Sequence, residues 1–158
     1  MNEPSQEPGL IIKIPPPLWA LVALLAAWGA DKLFDWTAIA IVKSVPLGIA
    51  LMLGGFGVAI WGRLTFAKVG AEILPASETN STLVDHGPFR YSRNPMYAGI
   101  LMLFAGISLY VGTLPYFAVT AGLFWLLNTH FIPFEEAKME RLLGQAYVDY
   151  KSRVRRWV

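Results

Sequence analysis

Residues 45–62 read VPLGIALMLGGFGVAIWG and contain no charged side chain. A transmembrane helix needs about 20 largely apolar residues, and about 17–25 are tolerated. Helices on the surface of soluble proteins carry a polar stripe, which this stretch lacks. We therefore interpret it as a membrane-spanning helix in which Gly54, Gly55 and Gly57 allow a neighbouring helix to approach closely.

Other hydrophobic blocks flank this stretch, at residues 18–34, 96–111 and 115–132. The proline run from Pro15 to Pro17 prevents an earlier start of the first helix. Together the blocks predict an all-α integral membrane protein with about four transmembrane helices. We treat residues 1–158 as a single membrane domain.

The last two blocks are separated only by Gly112, Thr113 and Leu114. So short a connection predicts a tight antiparallel hairpin, for which Ala118 and Gly122 offer a small-residue face. Both open ends of this hairpin then lie at the same membrane surface. Residues just before the third block and just after the fourth should therefore be close in space.

The composition supports a membrane location and excludes several kinds of site. The chain is 55% hydrophobic and 15% charged, whereas soluble domains are about 25% charged. It has no cysteine, which excludes disulfides and thiolate metal ligands. Its histidines, His86 and His130, are too few for a histidine-rich metal centre, and we predict no metal site.

The basic residues divide unevenly between the two sides of the predicted bundle. The N-terminal tail, the loop 63–95 and the C-terminal segment 133–158 fall on one side. That side holds eleven Lys and Arg residues, and the other holds two, Lys32 and Lys43. Because positive residues favour the cytoplasmic side, we expect both termini in the cytoplasm. We expect a multi-pass protein of a prokaryotic inner membrane.

A different kind of helix is predicted after the last block. Pro133 can begin a new helix, with Glu135 and Glu136 in its first turn near the positive end of the helix dipole. Apolar residues then recur at helical spacing from Leu142 to Val154, with basic residues between them. This pattern predicts a C-terminal amphipathic helix that lies at an anionic membrane surface.

The predicted cytoplasmic loop ends in GPFRYSRNPMY, residues 87–97, which is rich in arginine, aromatic and turn residues. A purely structural interpretation exists, since Asn94 suits an N-cap and Pro95 suits the first helical position. The hairpin nevertheless brings this run to Glu135 and Glu136. Carboxylates near hydrocarbon are costly unless they are paired or liganded. A polar ligand with a positive charge would suit this place.

These segments, in this order, resemble the isoprenylcysteine carboxyl methyltransferase family, whose relatives include the phospholipid N-methyltransferases. The resemblance rests on the run 87–97, the helical hairpin, the Glu135–Glu136 pair and GQAYVDYKSRV at residues 144–154. It extends over Phe66 to Val154. The first two hydrophobic blocks match the family only in being hydrophobic.

The resemblance implies a membrane methyltransferase that uses S-adenosylmethionine and acts on a carboxylate or an amine. The implied partners are a lipophilic small molecule or lipid-modified substrate and membrane lipids, and not nucleic acid. The cofactor would lie at the cytoplasmic interface, in segments 63–95 and 133–158. Carried over by position, the cofactor-binding residues are Arg93, Asn94, Pro95, Tyr97, Glu135 and Glu136, with Tyr91 and Gly87 from the preceding turn.

The chain also departs from the family pattern. Asn94 stands where the family has histidine, and asparagine keeps its hydrogen-bonding capacity but does not titrate. Residues 128–132 lack the arginine with which the prenylcysteine enzymes hold the substrate carboxylate. His130 and Arg90 are the candidates for substrate contact. No residue is singled out as catalytic, and the oligomeric state is not predicted.

Two other functions stay open on the sequence. A non-catalytic membrane protein could retain the same fold. A reductase of the sterol-reductase type, which uses NADPH, has a broadly similar membrane end. The sequence shows no cluster suited to a 2′-phosphate beyond its general basic excess, which disfavours the reductase.

Overall fold

The computed structural model describes residues 10–34, 36, 42–68 and 83–158. The regular elements in these ranges are helices, which confirms the all-α prediction. They are α1 Leu10–Lys13, α2 Pro16–Leu33, α3 Val45–Lys68, a 3-10 helix Gly87–Arg90, α4 Pro95–Val111, α5 Leu114–Leu126, a π-helical turn Leu127–Phe131, α6 Ile132–Leu143 and α7 Gln145–Arg153. Part of the predicted cytoplasmic loop, residues 69–82, lies outside the described residues.

Two helices in the described part of the chain are long and apolar enough to cross a membrane. One is α3, and the other is the continuous run from α5 through α6, Leu114–Leu143. Only 17% and 22% of their most apolar windows are buried, respectively, unlike the core helices of soluble proteins. α4 is apolar but shorter. By length and composition the structure therefore offers two spans, and the arrangement with about four stays a prediction.

α3 and α4 pack antiparallel along a seam of glycines. A Cβ on Gly48 would lie 2.8 Å from the carbonyl oxygen of Gly106, and one on Gly55 would lie 2.5 Å from that of Gly99. Such contacts require glycine because the opposing atoms are backbone. Of the glycines predicted to allow close approach, Gly55 lies in this seam, whereas Gly57 faces open space among the described residues.

Hydroxyl groups join α4 to its neighbours. Ser108 is fully buried, and its Oγ lies 2.9 Å from Thr120 Oγ1 of α5. The turn after α4 is tied to the end of α2, because Thr113 Oγ1 donates to Asp31 Oδ1 at 2.8 Å. The predicted hairpin contact through Gly122 is wrong, since a Cβ there would meet no described atom within 4 Å.

α5 continues into α6 through the π-helical turn Leu127–Phe131. Pro133 lies in the first turn of α6, where a missing N–H is tolerated. The wider turn before it allows the chain to stay helical past the proline. Gly144, at a φ of 55°, separates α6 from α7. The predicted amphipathic helix after Pro133 is therefore two shorter helices, because Gly144 adopts a backbone conformation that ends the first.

The buried core lies between α2, α4 and the α5–α6 run. Its central cluster consists of Ala20, Phe104, Leu123, Leu127 and Phe131. The outer faces carry many large exposed apolar side chains, among them Leu21, Leu25, Leu53, Phe56, Ile60 and Trp125. An exposed apolar surface of this extent is typical of a membrane or interaction surface.

Candidate functional site

A cavity of about 300 Å³ lies between the start of α4, α6 and α7. Arg93, Asn94, Tyr97, Glu135 and Glu136 all line it, so the structure brings these predicted cofactor residues together. Ligand sites are typically about 300–1,000 Å³ and mostly apolar, with a few convergent polar groups. The rest of the wall is Lys138 and a largely apolar and aromatic set: Pro15, Pro16, Pro17, Phe66, Leu83, Val84, Phe89, Met96, Ile100, Met139, Leu143, Tyr147 and Tyr150.

A hydrogen bond joins α4 to α6 in the cavity wall. Tyr97 Oη donates to Glu135 Oε1 at 2.7 Å. Tyr97 lies in the first turn of α4, and Glu135 lies in the first turn of α6. The bond is short because a carboxylate is a strong acceptor. The two ends of the hairpin therefore meet, as its topology predicts.

Glu136 is 5% exposed and is shared by two arginines. Arg93 Nη2 lies 3.1 Å from its Oε1, and Arg156 Nη2 lies 2.7 Å from its Oε2. Arg156 Nε also lies 3.4 Å from Oε1. A buried carboxylate is costly unless it is paired, and this double pairing accounts for its place among apolar helices.

The ion pair with Glu136 uses only one nitrogen of the Arg93 guanidinium, Nη2. The side chain is 9% exposed, and its Nε and Nη1 are buried without a hydrogen-bond partner among the described residues. A buried unsatisfied donor costs about 1–3 kcal/mol, and more when it is charged. The two free nitrogens of Arg93 could therefore donate to an acceptor on a ligand, since the described part of the chain supplies none.

The C-terminal tail, Val154–Val158, packs against the loop that carries Arg93 and Asn94. The backbone N–H of Arg93 donates to the carbonyl of Arg155 at 3.0 Å. Asn94 Nδ2 donates to the carbonyl of Arg156, also at 3.0 Å. The tail therefore fixes the two residues that lead into α4 through backbone contacts as well as through the Arg156 side chain.

Sequence reasoning misses the tail and Ser92, which contact residues of the site from outside the cavity wall. Ser92 Oγ donates to the Arg156 carbonyl at 3.3 Å, and Trp157 Nε1 donates to Asn128 Oδ1 at 3.1 Å. In the sequence, Arg156 is one of several basic residues near the membrane. Its pairing with Glu136 arises only because the turn after α6 and the end of α7 fold the chain back.

Tyr147 and Tyr150 of α7 are buried and line the cavity. Tyr150 Oη donates to the Phe89 carbonyl at 2.7 Å, which ties α7 to the 3-10 helix. Burial raises the pKa of Tyr150 to about 12. Burial and the charge of Glu136 also raise the pKa of Tyr147. Both phenols are therefore neutral at physiological pH.

The other predicted cofactor residues lie beside the cavity and do not line it. Pro95 is fully buried at the start of α4. Gly87 begins the 3-10 helix at a φ of 61°, and a Cβ there would lie 3.0 Å from Thr65 Oγ1. Tyr91 is 65% exposed. Pro95 and Gly87 thus shape the loop that carries Arg93.

The predicted substrate residues do not line this cavity either. Arg90 is exposed and borders a separate polar depression together with Asp85 and Arg153. His130 lies in the π-helical turn, where its Nδ1 is 2.7 Å from Thr129 Oγ1. The structure therefore does not bring either residue to the Glu135–Glu136 pair.

The wall of the cavity suits a small molecule that carries both charges. Glu135 provides a carboxylate, which attracts cationic groups and accepts hydrogen bonds from hydroxyls. Arg93 provides guanidinium donors, which bind carboxylates well. The aromatic rings of Phe89, Tyr97 and Tyr147 provide flat surfaces for a planar base.

A family comparison matches about two thirds of the chain. The model of the phospholipid methyltransferase family matches residues 44–146. The match includes α3, beyond the segments on which the resemblance rests, and it stops within α7, before the C-terminal tail. No curated protein and no solved structure gives a significant match.

Proposed function

The chain belongs to the phospholipid methyltransferase family, and we propose that it is a membrane-embedded methyltransferase that uses S-adenosylmethionine. The match confirms the resemblance to the isoprenylcysteine and phospholipid methyltransferase group. Membership implies methyltransferase activity in general, and together with two apolar helices it suggests a membrane protein. The proposal adds the cofactor, a lipophilic acceptor and a site at the cytoplasmic interface.

The unsatisfied guanidinium of Arg93 is the observation that carries the cofactor proposal. It lies in the same wall as Glu135, so the cavity joins an anion-binding group to a cation-binding group. S-adenosylmethionine has a carboxylate, an ammonium, a sulfonium, ribose hydroxyls and an adenine. The residues present fit these groups by charge and by ring chemistry.

Each cofactor group has a complementary residue. Arg93 would bind the carboxylate with the donors that the described chain leaves unpaired. Glu135 would accept from the ammonium or the ribose hydroxyls, held in place by Tyr97. Tyr97 and Tyr147 offer rings for the adenine or the sulfonium. Asn94 donates to the tail and cannot titrate, so the site has no proton transfer at this position.

S-adenosylmethionine supplies a methyl group that is activated by the adjacent sulfonium. Methyl transfer is a direct displacement, so the chain has mainly to align the acceptor and exclude water. The buried ion pair with Glu136 holds Arg93 in place, and most of the cavity wall is apolar. A carboxylate acceptor needs no base, whereas an amine acceptor must lose a proton.

The apolar wall of the cavity supports a lipophilic acceptor. Pro15 to Pro17 at the start of α2, Met139 and Leu143 line it together with the polar residues. The outer faces of the helices are apolar as well. An acceptor dissolved in the membrane could therefore reach the polar end of the cavity without crossing water, which favours a lipid-like molecule.

The proposal is tested by methyl transfer from methyl-labelled S-adenosylmethionine to a lipid extract, catalysed by the purified protein in detergent. We expect label in the organic phase that depends on protein and is lost in Glu135→Ala. Base treatment identifies the acceptor, because methyl esters release volatile methanol whereas N-methyl groups are retained. A folded protein that transfers no label and binds NADPH instead would refute the proposal in favour of a reductase.

A further inference from the structure

We infer that the C-terminal tail, Val154–Val158, is a working part of the cofactor site, in which Arg156 is a positioning residue for Arg93. The inference rests on the proposed function, because the proposed cofactor is the ligand concerned. The family match ends at residue 146 and assigns nothing to the tail.

The tail is held by contacts with two parts of the structure. Its backbone carbonyls accept from the Arg93 N–H and Asn94 Nδ2, both at 3.0 Å. In addition, Trp157 donates to Asn128 Oδ1 at 3.1 Å, and its ring lies 5.3 Å from that of Phe124. These contacts connect the loop before α4 to the α5–α6 run, so the tail has a defined place.

Arg156 divides the Glu136 carboxylate with Arg93. Arg156 Nη2 takes Oε2 at 2.7 Å, and Arg93 Nη2 takes Oε1 at 3.1 Å. Arg156 Nε also lies 3.4 Å from Oε1, so Arg156 contacts both oxygens and Arg93 reaches only Oε1. Nε and Nη1 of Arg93 then have no hydrogen-bond partner among the described residues. Without Arg156, Oε2 loses its charged partner, and Arg93 is the arginine already in place to take both oxygens as a bidentate pair.

Because their partners differ, Glu135 and Glu136 have different roles in the site. Glu136 is neutralised by arginines and anchors them, whereas Glu135 accepts a hydrogen bond from Tyr97 and is the carboxylate that we assign to cationic groups of the ligand. Arg156 acts through Arg93: by engaging Glu136 it keeps guanidinium donors of Arg93 available to an anionic group.

The test is calorimetric titration of the purified full-length chain with S-adenosylhomocysteine. We expect Arg156→Ala to bind about tenfold more weakly than the wild type, since a charge-assisted contact is lost and Arg93 turns to Glu136. Arg153→Ala is the matched control, because the side chain of this exposed arginine donates, among the described residues, to the carbonyl of Asp149 in its own helix. It should bind within about twofold of the wild type.

A double variant distinguishes a role of Arg156 in positioning Arg93 from a role in stabilising the fold. With Glu136→Gln added to Arg156→Ala, the charge that would capture Arg93 is gone, so affinity should recover in part and exceed that of Arg156→Ala alone. An Arg156→Ala affinity equal to that of Arg153→Ala would overturn the inference, and so would failure of the double variant to recover. If Arg156→Ala does not fold, Arg156→Lys, which keeps a charged partner for Glu136 but lacks the fork, should bind more weakly than Arg153→Ala but by less than about tenfold.

Failure of the proposed function gives a different result. A folded wild type that does not bind S-adenosylhomocysteine contradicts the cofactor proposal itself. Carboxypeptidase digestion followed by mass measurement then still reports on the tail. Val158 is 82% exposed and should be removed from both proteins, whereas Trp157 should resist trimming in the wild type and be lost in Arg156→Ala. Equal trimming of both proteins would contradict a docked tail held by Arg156.

Discussion

Glu135 and Glu136 are neighbours in the sequence but have different partners in the structure. Glu135 accepts from Tyr97, and Glu136 is held between Arg93 and Arg156. Because adjacent residues on a helix point about 100° apart, one carboxylate can face α4 while the other meets the tail. Chemical identity alone thus does not decide which carboxylate contacts a ligand.

Removing one hydroxyl should weaken cofactor binding. In Tyr97→Phe the Glu135 carboxylate loses its hydrogen-bond donor, and bonds to charged groups contribute about 1.5–3 kcal/mol. We expect S-adenosylhomocysteine to bind about tenfold more weakly or worse, measured by calorimetry. Tyr91→Phe is the matched control, since Tyr91 is 65% exposed and does not line the cavity. Equal affinities of the two variants would contradict a role for the Tyr97 hydroxyl.

The sequence predicts the meeting of Tyr97 with Glu135, because one short connection sets the geometry of the hairpin. It does not predict the partner of Glu136. Arg156 reaches that carboxylate only after Gly144 ends α6 and α7 turns the chain back. The spacing of apolar residues in the sequence does not indicate that the chain after α7 folds back onto α6. Gly87 is predicted as a site residue, and the structure gives it a turn conformation packed on Thr65.

At the scale of the helices, the α3–α4 seam positions the site. Gly55 and Gly99 let the two backbones meet, and the start of α4 carries the residues that line the cavity. The sequence indicates that α3 contains a glycine-rich contact, but it does not identify the face. Gly57 and Gly55 look equivalent in the sequence, and only the packing against α4 distinguishes them.

A methyl group in this seam should destabilise the protein. In Gly55→Ala the added Cβ would lie 2.5 Å from the Gly99 carbonyl oxygen, and overpacking costs about 1–3 kcal/mol. We expect a lower thermal unfolding midpoint in detergent. Gly57→Ala is the control, because its Cβ meets no described atom within 4 Å and alanine favours a helix. Gly55→Ala unfolding at or above the temperature of Gly57→Ala would contradict the seam.

The whole molecule presents an apolar exterior and a polar site at one end of its helices. Large apolar side chains are exposed on α2, α3 and α5, and two helices can cross a membrane by length and composition. The distribution of eleven basic residues against two predicts which end faces the cytoplasm. The proposed site then opens on the side where a soluble cofactor is present.

The absence of cysteine makes this orientation directly testable. Single cysteines at exposed positions report the side on which each lies. In intact cells, a membrane-impermeant maleimide should label Val42→Cys and leave Ser152→Cys unlabelled. After the membrane is permeabilised, Ser152→Cys should be labelled too. Labelling of Ser152→Cys in intact cells would contradict a cytoplasmic C-terminus, and both positions labelled from the same side would contradict the predicted bundle.

We propose that the cavity between α4, α6 and α7 holds S-adenosylmethionine. Calorimetric titration of the purified wild type and of Glu135→Ala with S-adenosylhomocysteine tests this assignment. We predict saturable binding of one equivalent by the wild type and loss of that binding in a Glu135→Ala protein that remains folded. Absence of binding by the folded wild type, or equal binding by both proteins, would contradict the claim.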